Sequence, residues 1–421
     1  MLSALPLILA YPEPGDLARA ITGGSLRWEG LQQIQKEGLS RGEVPITPWS
    51  GWYWPLSDGG LAARLIDLSM SDHPRAESQK RWSETRERIL SRLGIGKMEE
   101  LSPAEKYDLL VGDKKFTLSR SMIRLADQQV ERDRIAIWKG FCTGWANAAM
   151  QMARPVRAVE ALSADAKTRV RFTPDDIKAL AALLWTTGSF AFRSAGTLCS
   201  EDPVRREPGS ERELNPICRD TNPATLHLTL VNQVGGARSS FLIDTDPGAE
   251  VWNQPVVSYS YVTYHPITEV EGPIEISRVR LKEWANDPRR EYRATGAQSV
   301  IGVKTSLTFV YETLPGALAG GGSTPDELRT AEYFYELELD AFGKIVGGEW
   351  TTSLHPDLIW VASPGAFPIS WGDRALSQNR DEAEWKKGGA LPPSWPSAAL
   401  QSSERAQPLG RVVQKLFEWA R

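Results

Sequence analysis

The chain has 421 residues, of which 41% are hydrophobic and 24% charged, an ordinary composition for one large or two medium globular domains. A formal net charge of −4 gives no electrostatic basis for nucleic-acid binding. No stretch is long and apolar enough to span a membrane.

Met1 to Ala10 is apolar and resembles the middle of a signal peptide without a preceding basic residue, so it reads as a truncated signal or an N-terminal strand. Residues 1–60 look irregular, rich in Pro and Gly. They end in Trp49-Ser50-Gly51-Trp52-Tyr53-Trp54-Pro55, whose aromatics either pin the segment to a core or line an acceptor groove. From Gly60 to about Leu125 helices are expected, with Leu61, Leu65, Ile66 and Leu68 on one face and a second helix over Ser83–Leu90. Ser102-Pro103-Ala104-Glu105 has Ser at the cap, Pro first and Glu third, which marks a helix start. A helix is expected from about Cys142, and Thr173-Pro174-Asp175-Asp176 caps another over Ile177–Trp185.

Beyond Cys218 the hydrophobic period changes to two. Strands are predicted over 225–233, 239–244, 256–264, 273–284, 298–313, 331–340 and 344–351. Val234-Gly235-Gly236-Ala237-Arg238 and Asp340-Ala341-Phe342-Gly343 read as hairpin turns, and Gly316–Ser323 as a flexible loop. Arg278, Arg280, Arg289, Arg290 and Arg293 alternate with Glu283, Asp287 and Glu291, which suggests a solvated mixed-charge face. Residues 373–410 look like an extended Pro/Ser-rich tail, closed by a short amphipathic helix over Val412–Trp419. The expected class is α+β, with helices in 61–198 and a mainly antiparallel sheet in 225–360. The flanks 1–60 and 373–421 lie outside a core of residues 61–372.

Chemistry concentrates at Cys142, in Gly140-Phe141-Cys142-Thr143-Gly144-Trp145. A thiol at a helix start feels the positive end of the helix dipole, which favours the nucleophilic thiolate. The same residue could be an inert buried thiol. Among four histidines, His73, His265 and His355 each precede proline and read as turn or strand-edge positions. That leaves His227, inside the strand-like Leu226–Val231, as the candidate base. A hairpin would bring it beside Asp244, with Asp246 as alternate, to orient the imidazole. The bland alternatives are a core histidine and a turn-capping Asp. For the oxyanion, the Cys142 backbone N–H is the first donor and an indole N–H of Trp138 or Trp145 the second. The position six before the nucleophile, where papain-like enzymes carry Gln, is Ala136. Cys199 and Cys218 flank a charged Pro/Gly loop. A disulfide there would close about 20 residues, stabilise by roughly 3 kcal/mol and imply an oxidising compartment.

Several motifs resemble the transglutaminase elicitor family, known from oomycetes and also found in bacteria. They are Pro48–Pro55, Ser102–Asp108, Gly140–Ala146, Cys218–Pro223, Val251-Trp252-Asn253-Gln254-Pro255-Val256, Tyr333–Asp340, Gly347–Trp350 and His355–Trp360. The Val251–Val256 run matches the start of the surface peptide through which plants sense the oomycete enzymes. After it, the basic and glycine residues of that peptide are absent. Here Trp252-Asn253-Gln254 reads as a structural strand edge. The resemblance implies a papain-like or transglutaminase-like core and a secreted or periplasmic enzyme. Its reaction would be acyl transfer from protein glutamine to lysine or another amine through a Cys–His–Asp triad. No cofactor is required, with calcium as an optional aid, for which Asp244, Asp246 and Glu250 offer carboxylates. Partners are protein substrates, with no nucleic acid and no membrane. The alternatives are a cysteine peptidase or amidase with the same triad, and a non-enzymatic secreted effector.

Overall fold

The computed structural model describes residues 14–64, 100–128, 130–131, 134–198, 205–208, 210–215, 218–316 and 323–421. The helix expected over Ser83–Leu90, most of the first apolar face, His73 and Cys199 lie outside the described residues. In chain order come α1 (Pro14–Thr22), α2 (Leu31–Lys36) and β1 (Arg41–Glu43), so residues 14–60 are more regular than their composition suggests, while the apolar Met1–Ala10 run lies outside the described residues. Then follow α3 (Pro103–Leu110), α4 (Thr117–Gln128), β2 (Val130–Glu131), β3 (Arg134–Ile135) and α5 (Cys142–Gln151). The small ribbon of β4 (Val159–Leu162) and β5 (Arg169–Phe172) precedes α6 (Pro174–Thr187) and β6 (Phe192–Gly196).

The helix starts form as the sequence dictates. In α3 the Glu105 N–H donates to Ser102 Oγ and the Ser102 N–H to Glu105 Oε2, at 3.2 and 2.7 Å. In α6 Thr173 and Asp176 exchange the same pair of bonds. A buried ion pair, Lys106 Nζ to Asp176 Oδ2 at 2.6 Å, then ties the first turns of the two helices together. Both charges are enclosed, so their mutual pairing offsets the desolvation each would otherwise suffer.

The next element departs from expectation. Residues 225–233 are not a strand, and Val234–Arg238 is not a hairpin. Helix α7 (Pro223–Thr229) runs into a π-helical stretch over Leu230–Gly236. Asn222 Oδ1 accepts the Ala224 N–H at 2.9 Å, and Pro223 occupies the first helical position. Every residue of α7 is buried, so no polar face interrupts its apolar run, and Leu-His-Leu-Thr-Leu imitates strand alternation.

The sheet consists of β7 (Leu242–Asp244), β8 (Asn253–Tyr264), β9 (Arg278–Arg280), β10 (Ser299–Tyr311), β11 (Glu327–Leu339), β12 (Ile345–Trp350) and β13 (Leu358–Ala362), joined by β1 and β6. Its nine strands run in the order β12-β11-β10-β8-β7-β13-β6, with β1 on β8 and β9 on β10, and all pairs are antiparallel. This is an α+β protein with helices early and one large antiparallel sheet later. The predicted strand 273–284 is mostly replaced by α8 (Ile274–Ser277) before β9 and a 3-10 turn over Leu281–Glu283 after it, leaving three strand residues.

Two further expectations are corrected. Residues 373–410 are not an extended tail: α9 (Trp371–Gln378), α10 (Trp395–Ser403) and α11 (Gly410–Ala420) pack into the core. Trp385 stacks edge-on to Trp419, and the Leu409 N–H donates to the buried Tyr107 hydroxyl at 2.7 Å. The arginine run is not simply solvated either. Arg293 is enclosed by Asp287, Glu336 and Glu338, while Arg289 reaches Glu336.

The position of α5 depends on one close approach. A Cβ at Gly144 would collide with the Ala182 carbonyl and Thr186 hydroxyl of α6. Gly144→Ala should therefore destabilise the protein by about 1–3 kcal/mol through overpacking. Gly24→Ala, which meets nothing within 4 Å, should be close to neutral; the comparison is made by denaturant midpoints.

Candidate active site around Cys142

Cys142 is the first residue of α5, and Phe141 at the cap position supplies no side-chain acceptor. The N–H groups of the first turn are thus without a capping side chain, as an oxyanion site requires. The loop before the helix is clamped by the Trp-rich segment. The Phe141 N–H donates to Tyr53 O at 2.5 Å, and the Leu56 N–H to Lys139 O at 2.8 Å. A side chain at Gly140 would strike the Tyr53 carbonyl, so glycine is needed for this approach. Trp49 and Trp54 are buried core residues, whereas Trp52 and Tyr53 are half-buried. Tyr53 packs edge-on against Trp252 at 5.2 Å. The segment mostly pins the loop, and only its middle reaches the site.

The other wall is the start of β8. The thiol donates to the Val251 carbonyl at 3.2 Å and receives the Asn253 backbone N–H. The Asn253 side chain donates to Thr143 Oγ1 at 3.0 Å and accepts the Trp360 indole N–H at 2.6 Å. Trp252-Asn253-Gln254 therefore does more than form a strand edge, because it encloses the sulfur. Cys142 is only 4% exposed. Burial pushes its thiol up to about 11 from an ordinary 9.0, and the charges of Glu312 and Asp244 add to the rise against the Asn253 and Thr143 bonds. At rest the group is a protonated thiol.

Asp244 pairs with Asn253 across β7 and β8, which brings it into the field of Cys142. Its Oδ1 accepts the N–H groups of Trp252 and Asp246 at 2.8 and 3.3 Å, while Oδ2, fully buried, has no hydrogen-bond partner. Burial drives this carboxyl upward. Asp246 caps its own turn by accepting the Gly248 N–H at 2.8 Å.

His227 does not join them. It lies on α7 with Nδ1 2.9 Å from the Tyr335 hydroxyl and its ring edge-on to Tyr261, and Nε2 has no hydrogen-bond partner. Tyr261 stands eight residues along β8 from Asn253, about 26 Å at 3.3 Å per residue. No hydrogen bond links His227 to Asp244 or Cys142, and burial alone pushes the imidazole down to about 3. The hairpin expected to join His227 to Asp244 is absent because the first strand is a helix. Of the indoles, Trp145 is fully buried with an unpartnered N–H, one turn beyond Cys142. Trp138 is half-buried with Lys139 over its ring.

Glu312 was not anticipated from the sequence. It follows β10 directly, is buried, and accepts the Gln254 amide at 2.9 Å through Oε1, while Oε2 is without a partner. Burial, opposed by the Gln254 bond, pushes it up to about 7. Its charge acts on Cys142 more strongly than that of Asp244. Counting by twos from buried Val310 points Glu312 inward, which was the available signal.

A family model described as Transglutaminase elicitor matches residues 29–368. The chain belongs to the transglutaminase elicitor family. Among solved structures it is similar to the GP42 transglutaminase from Phytophthora sojae, with a TM-score of 0.55, 21% identity, and coverage of 93% of this chain and 97% of that one. That likeness is one of fold. No curated protein matches the chain. The family match spans Cys142, Asp244, Val251–Val256 and Glu312, whereas α9 to α11 lie beyond it. Among the described residues no helix is long and apolar enough to cross a membrane.

Asp244, Asp246 and Glu250 lie at and just beyond the end of β7. Each carboxylate is engaged with a local N–H, Glu250 through the Trp252 indole, and they form no three-carboxylate group among the described residues. Cys142 is a free thiol; the expected bond from Cys199 to Cys218 involves a residue outside the described ones.

The raised thiol has a measurable signature. Iodoacetamide should modify Cys142 in the folded protein with a rate midpoint near pH 11, against about 9.0 after unfolding. Because the unfolded thiol releases its proton first, this group's linkage lowers stability as pH rises from 9.0 towards 11. A folded-state midpoint below 9.0 would contradict the enclosure of the sulfur.

Proposed function

We propose that the protein is a transglutaminase that forms isopeptide bonds between protein glutamine and lysine, or another primary amine, through a thioester on Cys142. The observation that carries this reading is the enclosure of a helix-start thiol by β8, in the electrostatic field of the Glu312 carboxylate and within the family match. A helix-start nucleophile against an antiparallel sheet is also the arrangement of a papain-like or transglutaminase-like core. Protein substrates met outside the cytoplasm fit this reading.

Glu312 is the proton acceptor in this proposal, since a carboxyl pushed up to about 7 exchanges protons readily near neutral pH. As the donor carboxamide displaces the Val251 carbonyl from the thiol, Glu312 takes the sulfur's proton and the thiolate attacks the carboxamide carbon. First-turn N–H groups of α5 receive the negative oxygen. Collapse breaks the C–N bond, and Glu312 returns the proton to the departing nitrogen, releasing ammonia and leaving the thioester. An incoming amine then attacks the thioester carbon, loses a proton to Glu312, and releases the sulfur, which is reprotonated. Asp244, held by β7, keeps the Trp252 backbone in place and so positions the wall of the site.

Incubation with a glutamine-donor protein and a labelled primary amine tests the reaction. Incorporation should fall to background in Cys142→Ala, and peptide cleavage without incorporation would replace the reading with a hydrolase.

Glu312→Gln should lower kcat by about a hundredfold or more with the fold intact. His227→Gln, if folded, should retain activity to within about tenfold and lose stability instead. Loss of all activity in folded His227→Gln would restore the imidazole as base and remove Glu312 from that role.

A further inference from the structure

Away from Cys142, three buried groups meet without an evident reason. Glu213, Asp220 and His355 come from separate turns, their side chains are 5%, 3% and 0% exposed, and their ligand atoms all lie within 4.8 Å of one another. His355 is rigidly held, its ring stacked on Trp350 at 4.7 Å with 9° between the planes. Its Nδ1 lies 2.8 Å from the Thr352 carbonyl and its Nε2 2.8 Å from Asp220 Oδ2. A carbonyl only accepts, so Nδ1 carries a proton, and Nε2 is the nitrogen that faces a carboxylate oxygen and is open to a metal when unprotonated. A backbone carbonyl on the far nitrogen is the usual support of a metal-binding histidine.

Glu213 adds an independent observation. Its Oε2 accepts the Asp220 N–H at 3.3 Å and its carboxyl meets that of Asp220, while Oε1 receives no N–H donor although the residue is only 4% exposed. Arg206 Nε, 3.9 Å away, is the cation beside it, and that guanidinium is shared with Glu211. Two buried carboxyls that meet cost free energy unless a shared proton or a cation lies between them, and a cation leaves both ionised. Glu213 and Asp220 also line a cavity of about 460 Å³, with Thr221, Gly348 and Glu349 on its other walls, so water can reach the cluster.

We propose that Glu213 Oε1, Asp220 Oδ2 and His355 Nε2 bind one divalent transition-metal ion of the zinc or manganese class, with water from the cavity completing the coordination. One imidazole nitrogen with two carboxylate oxygens suits such ions. Calcium instead gathers six to eight oxygens. Tetrahedral metal–ligand bonds of about 2.0–2.2 Å set ligand atoms roughly 3.3–3.6 Å apart, so the widest pair would draw in by up to roughly 1.5 Å while the Asp220–His355 pair opens from 2.8 Å. The ion would fasten the turns carrying Glu213 and Asp220 to the β12–β13 connection. The proposal is independent of the reaction assigned to Cys142.

The test is calorimetric titration of the chelator-treated full chain with Zn²⁺ and Mn²⁺, repeated with Ca²⁺ and in Cys142→Ala to exclude binding by the thiol. One equivalent of Zn²⁺ or Mn²⁺ should bind below about 10 µM and raise the melting midpoint. Affinity should drop at least about tenfold in Glu213→Gln and His355→Gln, and remain in Cys142→Ala. If His355→Gln fails to fold, Glu213→Gln carries the test, because metal-free Glu213→Gln should melt no lower than the metal-free parent. No saturable binding, equal affinity in Glu213→Gln, or binding of Ca²⁺ in preference to both other ions would overturn the proposal.

Discussion

The site depends on the register between β7 and β8, in which Asp244 stands opposite Asn253. That pairing directs the Asn253 N–H and the Val251 carbonyl to the sulfur, and sets Asp244 where its oxygen receives the Trp252 N–H. A slip of one residue would send every β8 side chain to the opposite face. Asn253 would then lose both Thr143 and the Trp360 indole. Because β8 also pairs with β10 over most of its length, the register is held far from the site as well as within it.

The enclosure has a consistent electrostatic cost. Cys142, Glu312, Asp244 and Asp357 are all pushed towards their neutral forms, in each case first by burial. Asp357 is the extreme: its carboxyl is buried with only the Leu358 N–H to offset the loss of water, and the charges of Asp244 and Asp220 oppose its ionisation. Acidic groups thus run across the sheet from the thiol towards the Glu213 cluster. Asp220 and Asp246 disfavour ionisation of both Asp244 and Asp357, so Asp244 and Asp357 are best described as titrating together.

Much of this fold is legible in the sequence because local signals and burial agree. Ser102 and Thr173 start the helices they should, since a capping side chain and a first-position proline act within one turn. Strands β8, β10, β11 and β12 form where they were expected, with burial alternating along parts of β8 and β10, and Asp340–Gly343 turns the chain between β11 and β12. Cys142 stands at a helix start, as its small-residue surroundings imply. His227 fails because a helix buried on every side has no periodic polar face, and its alternating Leu and Thr imitate a strand. Asn222-Pro223 was the local signal that outweighed the pattern. Glu312 and His355 act through long-range placement. A buried glutamate after a strand and a histidine before proline acquire meaning only when Gln254 and Asp220 arrive from elsewhere in the chain.

The bond from the Cys142 thiol to the Val251 carbonyl has a kinetic consequence. A sulfur that must first leave a carbonyl reacts only in the fraction of molecules whose cover has opened, whatever the intrinsic speed of the chemistry. A hydrogen bond of about 1 kcal/mol changes that fraction roughly fivefold. The same closed state withholds the sulfur from peroxide and other small oxidants, which attack thiolate rather than thiol. With Cys142 as the proposed nucleophile, one contact at the head of β8 would set turnover rate against working lifetime.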